Sequence, residues 1–224
     1  MEQTTHRSAA VRDALGVGVA VGLSGVAFGA AAITAGLSVP QACVLSLLTF
    51  TGASQFALTG AVGAGGDLVT ATLGALLLGG RNTLYGLRLA DLLRVRGARR
   101  LVAAHGVIDE TTAVTLAQPT EEAARTGFTT TFASLYVTWN LTTLAGAYGA
   151  SSLGDPAALG LDVVGPAAFL AILWPRLASS AQLRLLAAAG AVIALCATPF
   201  LPPGLPVLLS ALPVVGAVLV VMAR

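Results

Sequence analysis

The feature that most constrains this chain is the length of its stretches without a charged residue. The longest runs from Ala14 to Gly66, and three more are Leu68–Gly80, Thr126–Gly154 and Leu185–Ala223. A membrane-spanning helix needs about 20 mostly apolar residues, so three of these four stretches can each hold at least one. Only 10% of the 224 residues are charged, whereas a soluble domain has about 25%. We therefore predict an integral membrane protein and exclude soluble enzymes, disordered chains and nucleic-acid-binding proteins.

The few charged and metal-ligating residues do not form a catalytic or metal site. All 12 basic residues are arginines that are spread along the chain, so no basic face exists for nucleic acid and the expected partner is the lipid bilayer. Cys43 and Cys196 lie in apolar runs, which favours plain packing over a disulfide or metal site. The sequence has no nucleophile–base set or phosphate-binding loop. We expect no enzyme activity, no metal and no cofactor.

The apolar stretches predict an all-α polytopic membrane protein. A weaker apolar segment, 101–118, contains His105, Asp109 and Glu110. The predicted first helix is longer than the apolar part of an ordinary signal peptide, about 7–15 residues, and is taken as a retained span. The predicted helices lie near 14–36, 41–62, 68–90, 126–150, 160–176, 184–199 and 206–222.

The arginines predict the topology. Arg7 and Arg12 place the N-terminus in the cytoplasm, and the cluster between Arg94 and Arg100 belongs there as well. An even number of crossings must separate the two groups, yet three apolar stretches lie between them. The polar cluster Thr51–Gln55 indicates a broken helix, which membranes tolerate only against protein or a water-filled cavity. Segment 41–66 is therefore predicted to enter the membrane and return on the outer side.

The resulting prediction is about six crossing helices plus two broken, re-entrant elements, 41–66 and 101–118, with both termini cytoplasmic. In the alternative, both segments cross, which gives eight spans and puts the arginine cluster outside, against the charge rule.

A faint similarity at an offset of 56 residues suggests an inverted repeat with units 14–66 and 68–122, followed by C-terminal helices over 126–222. Transporters place their binding sites at such interrupted helices, so residues 1–224 are predicted to form a single integral membrane transporter domain. A glycine face on the first span predicts close helix packing: Gly16, Gly18, Gly22, Gly25 and Gly29.

Polar residues at membrane depth are the candidate site, because such residues are costly and mark functional positions. Arg81 fits three roles: it could clamp a substrate carboxylate, pair with Asp109, Glu110 or backbone carbonyls, or extend to the inner interface. Asp109 and Glu110 could carry a coupling proton or hold a substrate ammonium, or else form a solvated turn. Ser54 and Gln55 stand at a helix break, where they could bind substrate or satisfy freed backbone groups. Asn82 and Trp139 complete the predicted substrate site.

Five segments in register resemble a known family. Thr51–Ala57 resembles its GASQF segment, Arg81–Leu87 its R-H-x-L-Y-G-x segment, and Asp109–Ala113 its D-E-x-x-A segment. Tyr136–Gly149 is similar to its tryptophan and glycine span, and Gly165–Leu170 to a later one. These segments resemble the AzlC family of branched-chain amino acid permeases, the large subunits of two-component amino acid exporters.

The resemblance implies a function, a partner and a location. It implies proton-driven export of small apolar, valine-like amino acids across the cytoplasmic membrane, together with a small AzlD-type membrane subunit. The chain departs from the family pattern at three positions: Gly79 replaces an asparagine, Asn82 a histidine and Thr112 an aromatic residue. The alternative function is a non-transporting scaffold or assembly subunit whose partner chain holds the site.

Overall fold

The structure is a computed structural model that describes residues 2–153, 177–201 and 205–222, together with residues 167, 170, 173 and 174. Every regular element in these ranges is a helix, as predicted. The helices are α1 Glu2–Gly22, α2 Gly25–Thr34, α3 Val39–Leu48, α4 Gly52–Gly63, α5 Leu68–Gly79, α6 Arg81–Leu93, α7 Ala98–His105, α8 Asp109–Leu116, α9 Glu121–Ser151, α10 Ala181–Ala197, α11 Leu205–Leu209 and α12 Leu212–Met222.

Helix α9 is the axis of the fold, and α1 and α2 pack along it in parallel. The predicted glycine face makes this contact: a Cβ on Gly22 would lie 2.6 Å from Cβ of Thr138, and one on Gly29 would overlap the backbone of α9 near Thr143. Gly18 and Gly25 are equally crowded, whereas Gly16 has open space. The prediction of close packing is thus confirmed for four of the five glycines. Small residues allow two backbones to approach in this way.

The first predicted span is not one uninterrupted helix. It begins near the N-terminus at Glu2 and is interrupted at Leu23 and Ser24 between α1 and α2. The amide of Val26 bonds to Leu23, so the Gly22 carbonyl lacks its usual helical donor. The hydroxyl of Thr142 on α9 donates to that carbonyl at 2.6 Å. The interruption is therefore compensated by a bond between helices.

The two predicted broken elements are both confirmed as broken. The break in 41–66 falls at residues 49–51, between α3 and α4, and the break in 101–118 falls at residues 106–108, between α7 and α8. The first break lies a few residues before Ser54 and Gln55, which belong to the first turns of α4. The second break immediately precedes Asp109. Whether either element re-enters or crosses remains a prediction.

Other predicted spans differ from the structure in detail. The span predicted over 68–90 is divided at Gly80, whose amide bonds to both Leu76 and Leu77, and its second half, α6, ends at Leu93. The predicted 206–222 helix is divided near Ser210 into α11 and α12. The predicted 126–150 helix is continuous and starts earlier, at Glu121. Apart from residues 167, 170, 173 and 174, the predicted span 160–176 lies outside the described residues.

Length and hydropathy agree with a helical membrane protein. Within the described ranges, one helical stretch, Thr5–Thr34, is by length and composition long and apolar enough to cross a membrane. Shorter apolar helices lie at Val39–Leu48, Ala181–Ala197 and Leu212–Met222. Many large apolar side chains of α5 face outward, as lipid-facing residues do.

Before α5, Asp67 accepts a hydrogen bond from the Thr70 amide, which lowers the pKa of that exposed carboxyl group.

Helices α1–α4 and α5–α8 follow the same order. Each set has an interrupted helix, at residues 23–24 or at Gly80, and then a second one, interrupted at residues 49–51 or 106–108. The first turn after the second interruption carries polar residues in both sets, Ser54 in α4 and Asp109 in α8. These breaks bring several helix ends into the interior beside α9, and this arrangement positions the site.

Candidate functional site

A small cavity lies where the N-terminal ends of α4, α6 and α8 face the middle of α9. Its volume is about 90 Å³, well below the ~300–1,000 Å³ of pockets for drug-sized ligands, so it suits a small molecule. Its lining residues are Val21, Phe50, Thr51, Gly52, Ala53, Phe56, Arg81, Ile108, Asp109, Glu110, Leu135 and Trp139. Four of the seven predicted site residues therefore share this cavity.

An ion pair forms part of the cavity wall. Arg81 is the first residue of α6 and Asp109 the first residue of α8, and their Nη2 and Oδ2 atoms are 2.8 Å apart. The side chains are only 35% and 30% exposed. Of the roles predicted for Arg81, pairing with Asp109 is the one that the structure shows. The Nε atom of Arg81 and the Oδ1 atom of Asp109 are buried without a hydrogen-bond partner.

The N-terminus of α4 opens into the same cavity without a side-chain cap. Thr51 is the N-cap residue, but its side chain accepts no bond from the helix. The amide of Gln55 bonds to the Thr51 carbonyl, whereas the structure gives no partner for the amides of Gly52, Ala53 and Ser54. Free amides and the helix dipole give a helix N-terminus a partial positive charge that attracts anions.

The N-terminus of α8 carries acidic side chains instead. Its first turn contains Asp109 and Glu110, a placement that the helix dipole favours. Thr111 fixes the preceding turn, because its hydroxyl accepts a bond from the Ile108 amide at 3.0 Å and donates to the Gly106 carbonyl at 2.7 Å. The cavity therefore has an amide-rich end on α4 and a carboxylate-bearing end on α8.

Trp139 of α9 forms the wall next to α4. Its ring stacks on Phe28 with centroids 6.1 Å apart and meets Phe56 edge-on at 6.5 Å. A Cβ on Gly52 would lie 3.0 Å from the indole ring, so glycine is what allows the ring to approach the start of α4. Trp139 is 5% exposed, and its Nε1 atom has no hydrogen-bond partner.

The other predicted site residues lie behind or beside the cavity. Gln55 is fully buried, and its Nε2 atom lies 3.3 Å from the Ser46 carbonyl at the end of α3. This bond satisfies backbone freed by the break, the alternative role considered for Gln55. Ser54 is buried near Gly79, where an added Cβ would be 3.1 Å from its Oγ atom. Asn82 lines a separate groove of about 860 Å³ beside α7.

Unpartnered buried polar atoms are concentrated in and around this cavity. Leaving such a group unsatisfied costs about 1–3 kcal/mol, and membrane interiors make it costlier. All but one of the predicted site residues contribute an atom of this kind, and Thr112 and Asn140 add two more. The predicted contributors are Ser54, Gln55, Arg81, Asn82, Asp109 and Trp139.

Comparison with known families decides the assignment. The family model described as "AzlC protein" matches residues 16–153, well over half of the chain. The chain belongs to the AzlC family. The match covers the helices from α2 to α9 and the last third of α1, and therefore every residue that lines the cavity. No curated protein and no solved structure matches the chain.

Membership in the AzlC family gives the general function. The family is associated with transport of branched-chain amino acids and is a family of membrane transporters, not of enzymes. Within the residues that the structure describes, no group of three or more His, Cys, Asp or Glu side chains is placed to hold a metal ion. The cavity itself is built from helix ends and one ion pair.

Sequence reasoning missed the apolar part of the cavity wall. Phe50 precedes α4, and Ile108 precedes α8, so both breaks place an apolar side chain beside the polar ones. Phe56 and Leu135 complete this wall. The available signal was position alone, because Phe50 lies four residues before Ser54 and Ile108 lies directly before Asp109. His105 packs among the rings of Phe50, Phe132 and Tyr136.

Proposed function

We propose that this chain is the transporting subunit of a secondary transporter that exports small apolar amino acids, with valine as the representative substrate. The observation that supports this most strongly is the Arg81–Asp109 pair, 2.8 Å across, beside a small cavity at two helix breaks. Transporters commonly place substrate and ion sites at broken helices near the membrane centre. The apolar wall of the cavity suits an aliphatic side chain, and its polar ends suit the charged groups of an amino acid.

We further propose that proton movement is coupled to transport at Asp109 and Glu110. Protonation of Asp109 removes the charge that holds Arg81, so the ion pair and a proton compete for the same carboxylate. The ion pair then has two discrete states, paired and separated by protonation, that differ in local packing. An alternating-access mechanism requires two such states. The matching order of α1–α4 and α5–α8 supports, as part of this proposal, an inverted repeat built from 14–66 and 68–122.

The proposal places the protein in the cytoplasmic membrane as a multi-pass protein with cytoplasmic termini. Its partner in the proposal is a small AzlD-type membrane subunit. The cationic segment around Arg94, Arg96 and Arg100 supports the cytoplasmic placement of the α6–α7 connection, since basic connections stay inside.

Uptake of labelled valine into inverted membrane vesicles, with the partner subunit co-expressed, tests the proposal. We expect saturable uptake that needs a proton gradient and is abolished in the double variant Asp109→Asn, Glu110→Gln. A matched control replaces Asp91 and Glu122, which lie outside the cavity, by Asn and Gln and should retain uptake. Uptake that survives collapse of the gradient contradicts proton coupling. Absence of both transport and amino acid binding favours the scaffold alternative.

A further inference from the structure

We infer that the free N-terminus of α4, together with the indole N–H of Trp139, is the carboxylate subsite of the cavity. This inference rests on the proposed function and assigns each end of the substrate to named groups. Arg81, the obvious carboxylate ligand in the sequence, is already engaged by Asp109 at 2.8 Å. Apart from the Nε–H of Arg81, whose side chain is held by this ion pair, the donors that remain for an anion are the α4 backbone amides and the indole N–H of Trp139.

The first argument is the state of the α4 amides. Gly52, Ala53 and Ser54 are the first three residues of a 12-residue helix, and their amides have no partner in the described structure. The N-cap residue Thr51 leaves them uncapped, whereas Asp67 accepts a bond from the Thr70 amide in the next helix, α5. Three amides without partners at a helix start match the oxygens of a carboxylate.

The second argument is independent of the helix end. Trp139 is only 5% exposed, lines the cavity, and contacts the start of α4 at Gly52. Its Nε1–H is buried with no acceptor, although a buried indole N–H normally has one. An indole can only donate, so the group that belongs beside it is an acceptor. A carboxylate seated at the α4 amides supplies that acceptor.

The third argument is the distribution of charge around the cavity. The end formed by α4 carries donors, and the end formed by α8 carries the carboxyl groups of Asp109 and Glu110. The apolar side chains of Phe56 and Leu135 line the same cavity. This arrangement fits an α-amino acid zwitterion with its carboxylate toward α4, its ammonium toward α8 and its aliphatic side chain against the apolar wall.

Two variants remove one donor each while preserving shape. Trp139→Phe keeps an aromatic ring against Phe28 and lacks the N–H group. Ala53→Pro deletes the amide of the second helical residue, a position that Pro40 already occupies in α3. The matched controls are Trp174→Phe, at the exposed second tryptophan, and Gln182→Pro, at the exposed second residue of α10.

Binding to the purified full-length chain in lipid nanodiscs is measured by calorimetry with three probes. They are valine, 3-methylbutanoate (valine without its ammonium group) and isobutylamine (valine without its carboxylate). Each test variant should weaken binding of valine and 3-methylbutanoate by about tenfold or more, the value of one hydrogen bond to a charged group. Isobutylamine binding should not change, and the controls should bind all three as the wild type does.

The outcomes separate this inference from the proposed function. Unchanged 3-methylbutanoate affinity in Trp139→Phe overturns the subsite, even if valine is transported. Equal weakening of all three probes also overturns it, because the variants then act on cavity shape. If valine is not transported but 3-methylbutanoate binding is lost in Trp139→Phe and retained in Trp174→Phe, the proposed function fails and the subsite stands.

Discussion

The Arg81–Asp109 pair should be worth far more than a surface ion pair, and a double-mutant cycle can measure the difference. The perturbations are Arg81→Gln, Asp109→Asn and the double variant. Each single variant removes one charge and leaves the partner's charge without a counterion. That remaining charge is about two thirds buried, since the side chains are 35% and 30% exposed. The double variant leaves two neutral polar groups that can still form hydrogen bonds.

The magnitude follows from distance and burial. At the 2.8 Å separation, two unit charges attract by about 6 kcal/mol for an effective dielectric constant near 20. Desolvation of both groups offsets much of this, and breaking fully buried pairs costs about 3–5 kcal/mol against about 0–1 kcal/mol for exposed pairs. Partial exposure places each single variant at about 2–3 kcal/mol of lost stability, with a coupling energy of about 2 kcal/mol.

The assay is unfolding in mixed micelles by titration with a denaturing detergent, followed by intrinsic tryptophan fluorescence, because Trp139 is buried beside the pair. The control cycle uses Arg94 and Glu121, whose atoms are 3.3 Å apart but whose side chains are 66% and 52% exposed. Its coupling energy should not exceed about 1 kcal/mol. Additive effects of Arg81→Gln and Asp109→Asn, within about 0.5 kcal/mol, would refute the reasoning.

Two further predictions concern packing and topology. Gly146→Ala should destabilise the protein by about 1–3 kcal/mol, because the added Cβ overlaps the α2 backbone. Gly149→Ala, whose added Cβ has nothing within 4 Å, should be neutral or stabilising in the same titration. Equal effects of the two variants would contradict the packing argument. In a chain without its two native cysteines, a membrane-impermeant thiol reagent applied to intact cells should label Ala64→Cys and not Ala98→Cys. The reverse pattern supports the eight-span arrangement.

The positions of two of the helix breaks were predictable from sequence because their causes are local. Glycine and clustered polar side chains weaken a helix wherever they occur. Thr51–Gln55 predicted a break that the structure places at residues 49–51, and the polar residues after Ile108 marked the other. The breaks at Ser24 and Gly80 were not predicted, because a single serine or glycine also occurs in many apolar helices that are not interrupted.

The composition of the site was predictable only in part because it depends on which helix ends meet. The sequence identified Arg81 and Asp109 as costly at membrane depth, and their 28-residue separation left several partners open for each. The role of Gln55 at the end of α3 depends on how two helices meet across a break. The approach of Trp139 to Gly52 depends on the register of α9 against α4, which no local pattern encodes.

The broken helices explain why a chain with so few charged residues can still recognise a charged substrate. An intact helix bonds most of its own amides, so its wall offers a zwitterion only side chains. Each break instead frees backbone donors at the next helix start, and α4 presents them to the cavity without an added charge. A charged side chain is then needed only at the other end, where Asp109 is balanced by Arg81. A binding site of this kind costs less at membrane depth than one built from unpaired ionised side chains, which is consistent with the small number of charged residues in the chain.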